Sequence, residues 1–212
     1  MSTTELTRLS GFSMALGAVL GFLTILYGAL FFAGDPTATA GRPGYALVYL
    51  IEFVGVGLIL IGLPLVYATF ADRGGVLALI GVALIFLTGL MFGIFFALLS
   101  TVLVPYLAEK APNTFKGNGP PAFFPFFIVG TLASAVGPVL FAIPFLTGRV
   151  FPRWLGYVLV GSALFAVISF FLPSSSSNVL VSLVGSLSPL LLMVALGTLG
   201  YRVANREAAD QI

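Results

Sequence analysis

Six apolar stretches, each long enough to cross a lipid bilayer as a helix, leave this chain few ways to fold. They are Gly11–Ala33, Tyr45–Phe70, Val76–Val104, Phe123–Leu146, Trp154–Leu172 and Val179–Tyr201. A hydrocarbon layer of about 30 Å takes about 20 residues at about 1.5 Å per helical residue. Five of the six stretches carry no charged side chain, and the second carries one, Glu52. Lipid offers the backbone no hydrogen-bond partners, so each stretch must satisfy its own, as a helix does. A transmembrane β-barrel would need a period-two alternation that these runs lack. Charged residues make up 8% of the chain, against roughly 25% in a soluble domain, too few to coat a water-facing surface. The expected fold is an all-α six-transmembrane-helix bundle, with residues 1–212 forming a single transmembrane domain whose first partner is the lipid bilayer.

The chain has no Cys and no His. That removes disulfides, thiolate nucleophiles, iron–sulfur and Cys-ligated zinc sites, and any imidazole-ligated metal or His-dependent triad. Nine Lys/Arg against seven Asp/Glu give a net charge of +2, but the basic residues are scattered singly through the connections, which suits topology signals and not nucleic acid. No catalytic residue, cofactor or metal site is expected. Ala38-Thr39-Ala40 loosely fits a signal-peptide cleavage site. The apolar run before it exceeds the roughly 7–15 residues of a signal core, so the first span is expected to be retained.

Orientation follows from the asymmetry of Lys and Arg. With six spans, one side receives Arg8, Arg73, Arg149, Arg153, Arg202 and Arg206, and the other Arg42, Lys110 and Lys116. Both termini are therefore expected in the cytoplasm of a prokaryotic plasma (inner) membrane. Arg73, Arg149, Arg153 and Trp154 are the candidate interfacial anchors. Tyr27, Tyr45, Tyr49, Tyr67, Tyr157 and Tyr201 also fall near the ends of spans.

Shifting the sequence by 80 positions lays the second and third spans on the fourth and fifth. Val56 meets Val136, Gly57 meets Gly137, Leu60 meets Leu140, Pro64 meets Pro144, Arg73 meets Arg153 and Gly81 meets Gly161. The shared features are a helix kinked by proline, a short turn with an arginine, and a helix with small residues for close packing. A parallel duplication of a helical hairpin would produce this match. So would the common demands on any two-helix membrane hairpin.

Glu52 is the foremost candidate for chemistry, because an ionisable group within a span costs at least ~2.5 kcal/mol on insertion scales. Tyr45, Tyr49 and Glu52 stand at i, i+4 and i+7 and so share a helix face. In a cavity, Glu52 would bind a proton or a cation. Otherwise it reaches the headgroups or hydrogen-bonds to a neighbouring helix while protonated. Hydroxyls recur at Ser182 and Ser186, Thr131 and Ser134, and Ser162 and Ser169. With no His and no Lys in any span to activate them, they are expected to bond helices together. The small-residue pairs Gly17/Gly21, Gly89/Gly93 and Gly130/Ser134 permit close helix approach, within the bundle or between protomers of a homo- or hetero-oligomer. Pro105 and the polar stretch Glu109–Gly119 break the third span, leaving Ser100–Ala122 as the longest connection.

The turn Gly148-Arg149-Val150-Phe151-Pro152-Arg153-Trp154-Leu155-Gly156 resembles one found in an uncharacterised family of six-span bacterial integral membrane proteins, of the domain-of-unknown-function type. The likeness covers mainly residues 140–172. It implies a bacterial inner-membrane protein and brings no catalytic residues with it. Three functions are open to such a chain. One is a non-enzymatic structural or accessory protein, favoured by the scarcity of polar groups within the spans. Another is a small carrier or proton-coupled permease using Glu52. The third is a lipid-modifying membrane enzyme, which needs a cluster of acids or bases at one interface. A polar cavity reaching Glu52 would favour the carrier, and a closed apolar bundle the accessory role.

Overall fold

The computed structural model describes residues 2–34, 36–111, 123–148, 151–172 and 178–209, and they contain helices and no strand. The helices are α1 (Thr3–Phe31), the short α2 (Pro36–Ala40), α3 (Tyr45–Ala68), α4 (Ala71–Lys110), α5 (Phe123–Leu146), α6 (Arg153–Phe170) and α7 (Val179–Ala209). All but α2 are long and apolar enough to span a membrane. At most 33% of the most apolar window of any span is buried. The rest of each surface presents side chains such as Leu16, Leu23, Ile61, Leu132 and Leu164 outward. Lipid solvates such a surface and water does not. The chain is a multi-pass membrane protein.

Local sequence sets where the helices begin and bend. Ser2 accepts from the Glu5 N–H at 3.2 Å while the Glu5 carboxylate accepts from the Ser2 N–H at 2.8 Å, so α1 starts well before its apolar run. Gly75 has φ +70°, a left-handed conformation that glycine alone adopts cheaply, and it separates the turn at Ala71–Gly74 from the long rod beginning at Val76. That rod does not stop at Val104. It passes through two wider π-helical turns, Gly89–Phe95 and Leu99–Leu103, and continues to Lys110. Proline has no N–H to offer the preceding turn, and the π turn just before Pro105 lets the helix pass the ring without ending. The rod thereby outruns a ~30 Å hydrocarbon layer. The first residues of the expected Ser100–Ala122 connection are helical, and 112–122 lie outside the described residues.

The long helices follow one another around a ring in the order α3, α1, α7, α6, α5, α4, with α4 returning to α3. Three contacts between glycines set its spacing. A Cβ on Gly11 would lie 2.7 Å from the Gly200 carbonyl oxygen, and one on Gly200 would lie 2.7 Å from that of Gly11. Gly17 of α1 meets Gly55 of α3 in the same backbone-to-backbone way, and Gly81 of α4 meets Gly137 of α5. The contact of Gly11 with Gly200 also brings the start of α1 to the end of α7, and this end is called the terminal end below. Around it lies a dense core that includes Met14, Leu63, Val66, Phe70, Phe141, Phe145, Leu155, Leu159, Leu196 and Leu199. Phe70 is its hub, with ring centroids 6.1, 5.9 and 5.8 Å from those of Phe141, Phe145 and Phe151.

The residues matched by the 80-position shift sit in unlike surroundings. Gly137 is pressed against α4, whereas a Cβ on Gly57 would meet nothing within 4 Å. Pro144 is fully buried and Pro64 is exposed. Gly200→Val is expected to lower stability in detergent by about 2–3 kcal/mol, since backbone cannot yield to the added atoms. Gly57→Leu should stay within about 0.5 kcal/mol of the parent. Thermal unfolding of the two purified variants checks both, and equal losses would remove glycine crossings as the source of the spacing.

Candidate functional site

Away from the terminal end, α1 draws apart from its neighbours. Gly11 and Gly17 meet backbone, Gly21 meets the Met193 side chain at 3.0 Å, and Gly28 meets nothing within 4 Å. On α4, Gly89 and Gly93 meet the side chains of Leu60 and Val56. Where side chains replace backbone at the contacts, the helix axes stand further apart. The result is a cavity of about 350 Å³ between α1, α3, α4 and α7. Ile59, Ile85 and Leu196, three members of the dense core, line it on the terminal side.

The wall is mostly apolar, with six polar side chains set into it: Thr24, Tyr49, Glu52, Thr88, Ser182 and Ser186. Three of the hydroxyls donate to their own helices. Thr24 donates to the Leu20 carbonyl at 3.0 Å, Thr88 to Leu84 at 2.9 Å and Ser186 to Ser182 at 2.9 Å. Their oxygens remain able to accept. Glu52 and the Ser182 hydroxyl have no hydrogen-bond or ion-pair partner among the described residues. Both are half-buried, and polar groups withdrawn from water are normally paired, so two such groups beside one space leave room for something else to meet them there. The π turn Gly89–Phe95 contributes Gly89, Phe92 and Gly93 to the same wall, and Pro189 of α7 also lines it. Pro189 cannot donate to the Gly185 carbonyl one turn earlier, which loosens the backbone of α7 beside the cavity.

Of the three residues on the shared face of α3, Tyr49 and Glu52 line the cavity and Tyr45 does not. Tyr45 is 4% exposed and belongs to a separate distal cluster with Phe32 and Val104. Its ring lies 5.2 Å from that of Phe32 and 4.8 Å from that of Tyr49. Its hydroxyl sits beside those of Ser100 and Tyr49. Arg42 closes this end by donating to the Phe31 carbonyl at the C-terminus of α1. Tyr49 joins the distal cluster to the cavity.

At the terminal end Arg73, Arg153 and Trp154 are exposed, and the Arg153 guanidinium lies over Gly148. Arg149 falls outside the described residues. Among the hydroxyls expected to bond helices together, Ser162 does so, donating to the Ser188 carbonyl of α7 at 2.9 Å. Ser134 and Ser169 bond within their own helices. Ser13 adds a bond from α1 to the Leu58 carbonyl of α3 at 2.9 Å, which the sequence reading did not single out. That reading also missed Thr24, Gly28 and Thr88, since a lone threonine or glycine in an apolar helix carries no signal of what it faces. Gly17, Gly21, Gly89, Gly93 and Gly130 are all turned against neighbouring helices of the bundle.

No protein-family model, curated protein or solved structure matches this chain. The likeness carried by the Arg149–Gly156 turn therefore rests on the sequence alone.

A carboxyl that holds the fold together loses stability when it is changed, and one kept for a ligand does not. Glu52→Gln is expected to leave thermal stability in detergent within about 0.5 kcal/mol of the parent, or to raise it. A loss of about 2 kcal/mol or more would make Glu52 a structural group.

Proposed function

We propose that this membrane protein is a small carrier, with Glu52 as the proton- or cation-binding group of its solute site. The observation that carries the reading is a carboxyl with no partner among the described residues, on the wall of a cavity of about 350 Å³. A structural or accessory protein has no use for such a space, and an apolar bundle closed around residue 52 would have served it better. A lipid-modifying enzyme needs a second acid or base beside the first, and among the described residues no other ionisable side chain except the phenol of Tyr49 lines the cavity.

The packing asymmetry also supports a carrier. The dense aromatic core obstructs the terminal end, while the cavity and its looser contacts lie beyond it. A carrier in one of its end states has a tightly packed barrier on one side of its solute site, and the dense core around Phe70 has that form. The basic residues of the terminal end, Arg8, Arg73, Arg153 and Arg202 among them, favour an orientation with that end in the cytoplasm of a prokaryotic plasma membrane under the positive-inside rule. The solute site would then face outward.

Dicyclohexylcarbodiimide, an apolar reagent that attacks protonated carboxyls within a bilayer, tests the site directly. It is expected to label Glu52, with labelling falling as pH rises because the reagent needs the protonated acid. Gly28→Leu starts a side chain from an uncrowded point on the cavity wall, since a Cβ there meets nothing within 4 Å. It should slow labelling at least tenfold, and Gly57→Leu should not. Labelling that ignores Gly28→Leu would mean that Glu52 is reached from lipid and not from the cavity, and the carrier reading would fall.

A further inference from the structure

The walls of the cavity restrict what can occupy it. Among the described residues Glu52 is its sole acidic side chain, and neither lysine nor arginine lines it. An ionised carboxylate in such a setting requires a positive partner, because an unpaired charge in a low-dielectric space is strongly unfavourable. None of the described residues supplies such a partner, so whenever the carboxyl ionises the occupant has to bring the positive charge. An anion would meet one carboxylate and no compensating donor with a charge. A neutral solute would leave the carboxylate uncompensated.

An inorganic cation fits the space poorly. Hard cations such as calcium and magnesium take about six or more oxygen ligands, several of them carboxylates. The described residues hold no cluster of three acidic or other metal-binding side chains. The volume is also too large for a bare ion. At about 30 Å³ per water it would hold on the order of ten water molecules, most of them against Ile, Leu, Val, Phe and Met. A volume of 350 Å³ lies within the range of small-molecule pockets, about 300–1,000 Å³. Three aromatic rings, those of Phe32, Tyr49 and Phe92, line the same space. Aromatic faces attract ammonium groups, and more strongly where water is excluded.

Resting on the carrier reading above, we infer that the cavity takes an organic cation: an ammonium group at Glu52, with its apolar body among Phe92, Leu60 and Ile59. Tyr49, beside Glu52 on the same face of α3, contributes a further oxygen and a ring face at the charged end. Ser182, whose hydroxyl has no partner among the described residues, offers a hydrogen bond to a polar substituent.

The test uses the full chain in lipid nanodiscs at pH 8 and three probes of similar shape. Benzyltrimethylammonium is the cation, neopentylbenzene its neutral isostere and benzenesulfonate an anion. Saturable binding above that of empty nanodiscs is expected for the cation, at least tenfold weaker for the isostere and absent for the anion. Glu52→Gln should weaken the cation at least tenfold and leave the isostere unchanged. Gly28→Leu should weaken both, and Gly57→Leu neither, with thermal unfolding confirming that each variant is folded. If the isostere binds as tightly as the cation, or Glu52→Gln leaves the cation unaffected, the cavity binds solutes but the inference of a cationic one is overturned. If no probe binds saturably, or binding ignores Gly28→Leu, the inference and the carrier reading fall together.

Discussion

Helices already surrounded by lipid gain little from burying more hydrocarbon against each other, because acyl chains solvate leucine as well as another leucine does. What holds such helices together is contact close enough for dispersion to accumulate, and glycine permits the closest contact. In this protein the glycine pairs Gly11 with Gly200, Gly17 with Gly55 and Gly81 with Gly137 bring backbone against backbone on three sides of the ring. Those crossings fix α1 against α7 and α3, and α4 against α5. The dense core around Phe70 is possible because the crossings draw the terminal half tight enough for its aromatic rings to interlock.

The cavity is the other consequence of the same constraint. Along α1 the glycines change partner from backbone to side chain to nothing, and the space opens in step. It reflects how the helices cross and not simply a shortage of side-chain volume, since Phe32 and Phe92 stand on its wall. The π turns of α4 act in the same region. They widen the rod where it passes the cavity and carry it beyond Pro105, so that Val104 and Ser100 can pack with Tyr45 at the distal side. Glu52 lies between the distal aromatic cluster and the apolar core, where a carboxyl has space beside it and no partner.

Hydroxyl groups divide between two tasks. Ser13 and Ser162 reach across to a neighbouring helix and bond its carbonyl. Thr24, Thr88 and Ser186 stand where the neighbours have drawn away, and they fold back onto their own helices. The residue type is nearly the same in the two groups.

The sequence by itself determined that the chain lives in lipid, that it is helical, and roughly where six spans run, because solvation and backbone hydrogen bonding act on each segment separately. It also marked Glu52, since a carboxyl inside an apolar run stands out without reference to any neighbour. It separated Tyr49 from Tyr45 no further than a shared face, and it put a break at Pro105 that the π turn removes. Which glycine meets backbone and which meets empty space depends on crossings between segments far apart in the chain, and hydropathy does not record them. The tertiary structure alone decided that Glu52, Ser182, Thr24 and Thr88 share one cavity, because four helices contribute to it and no single stretch of sequence contains its shape.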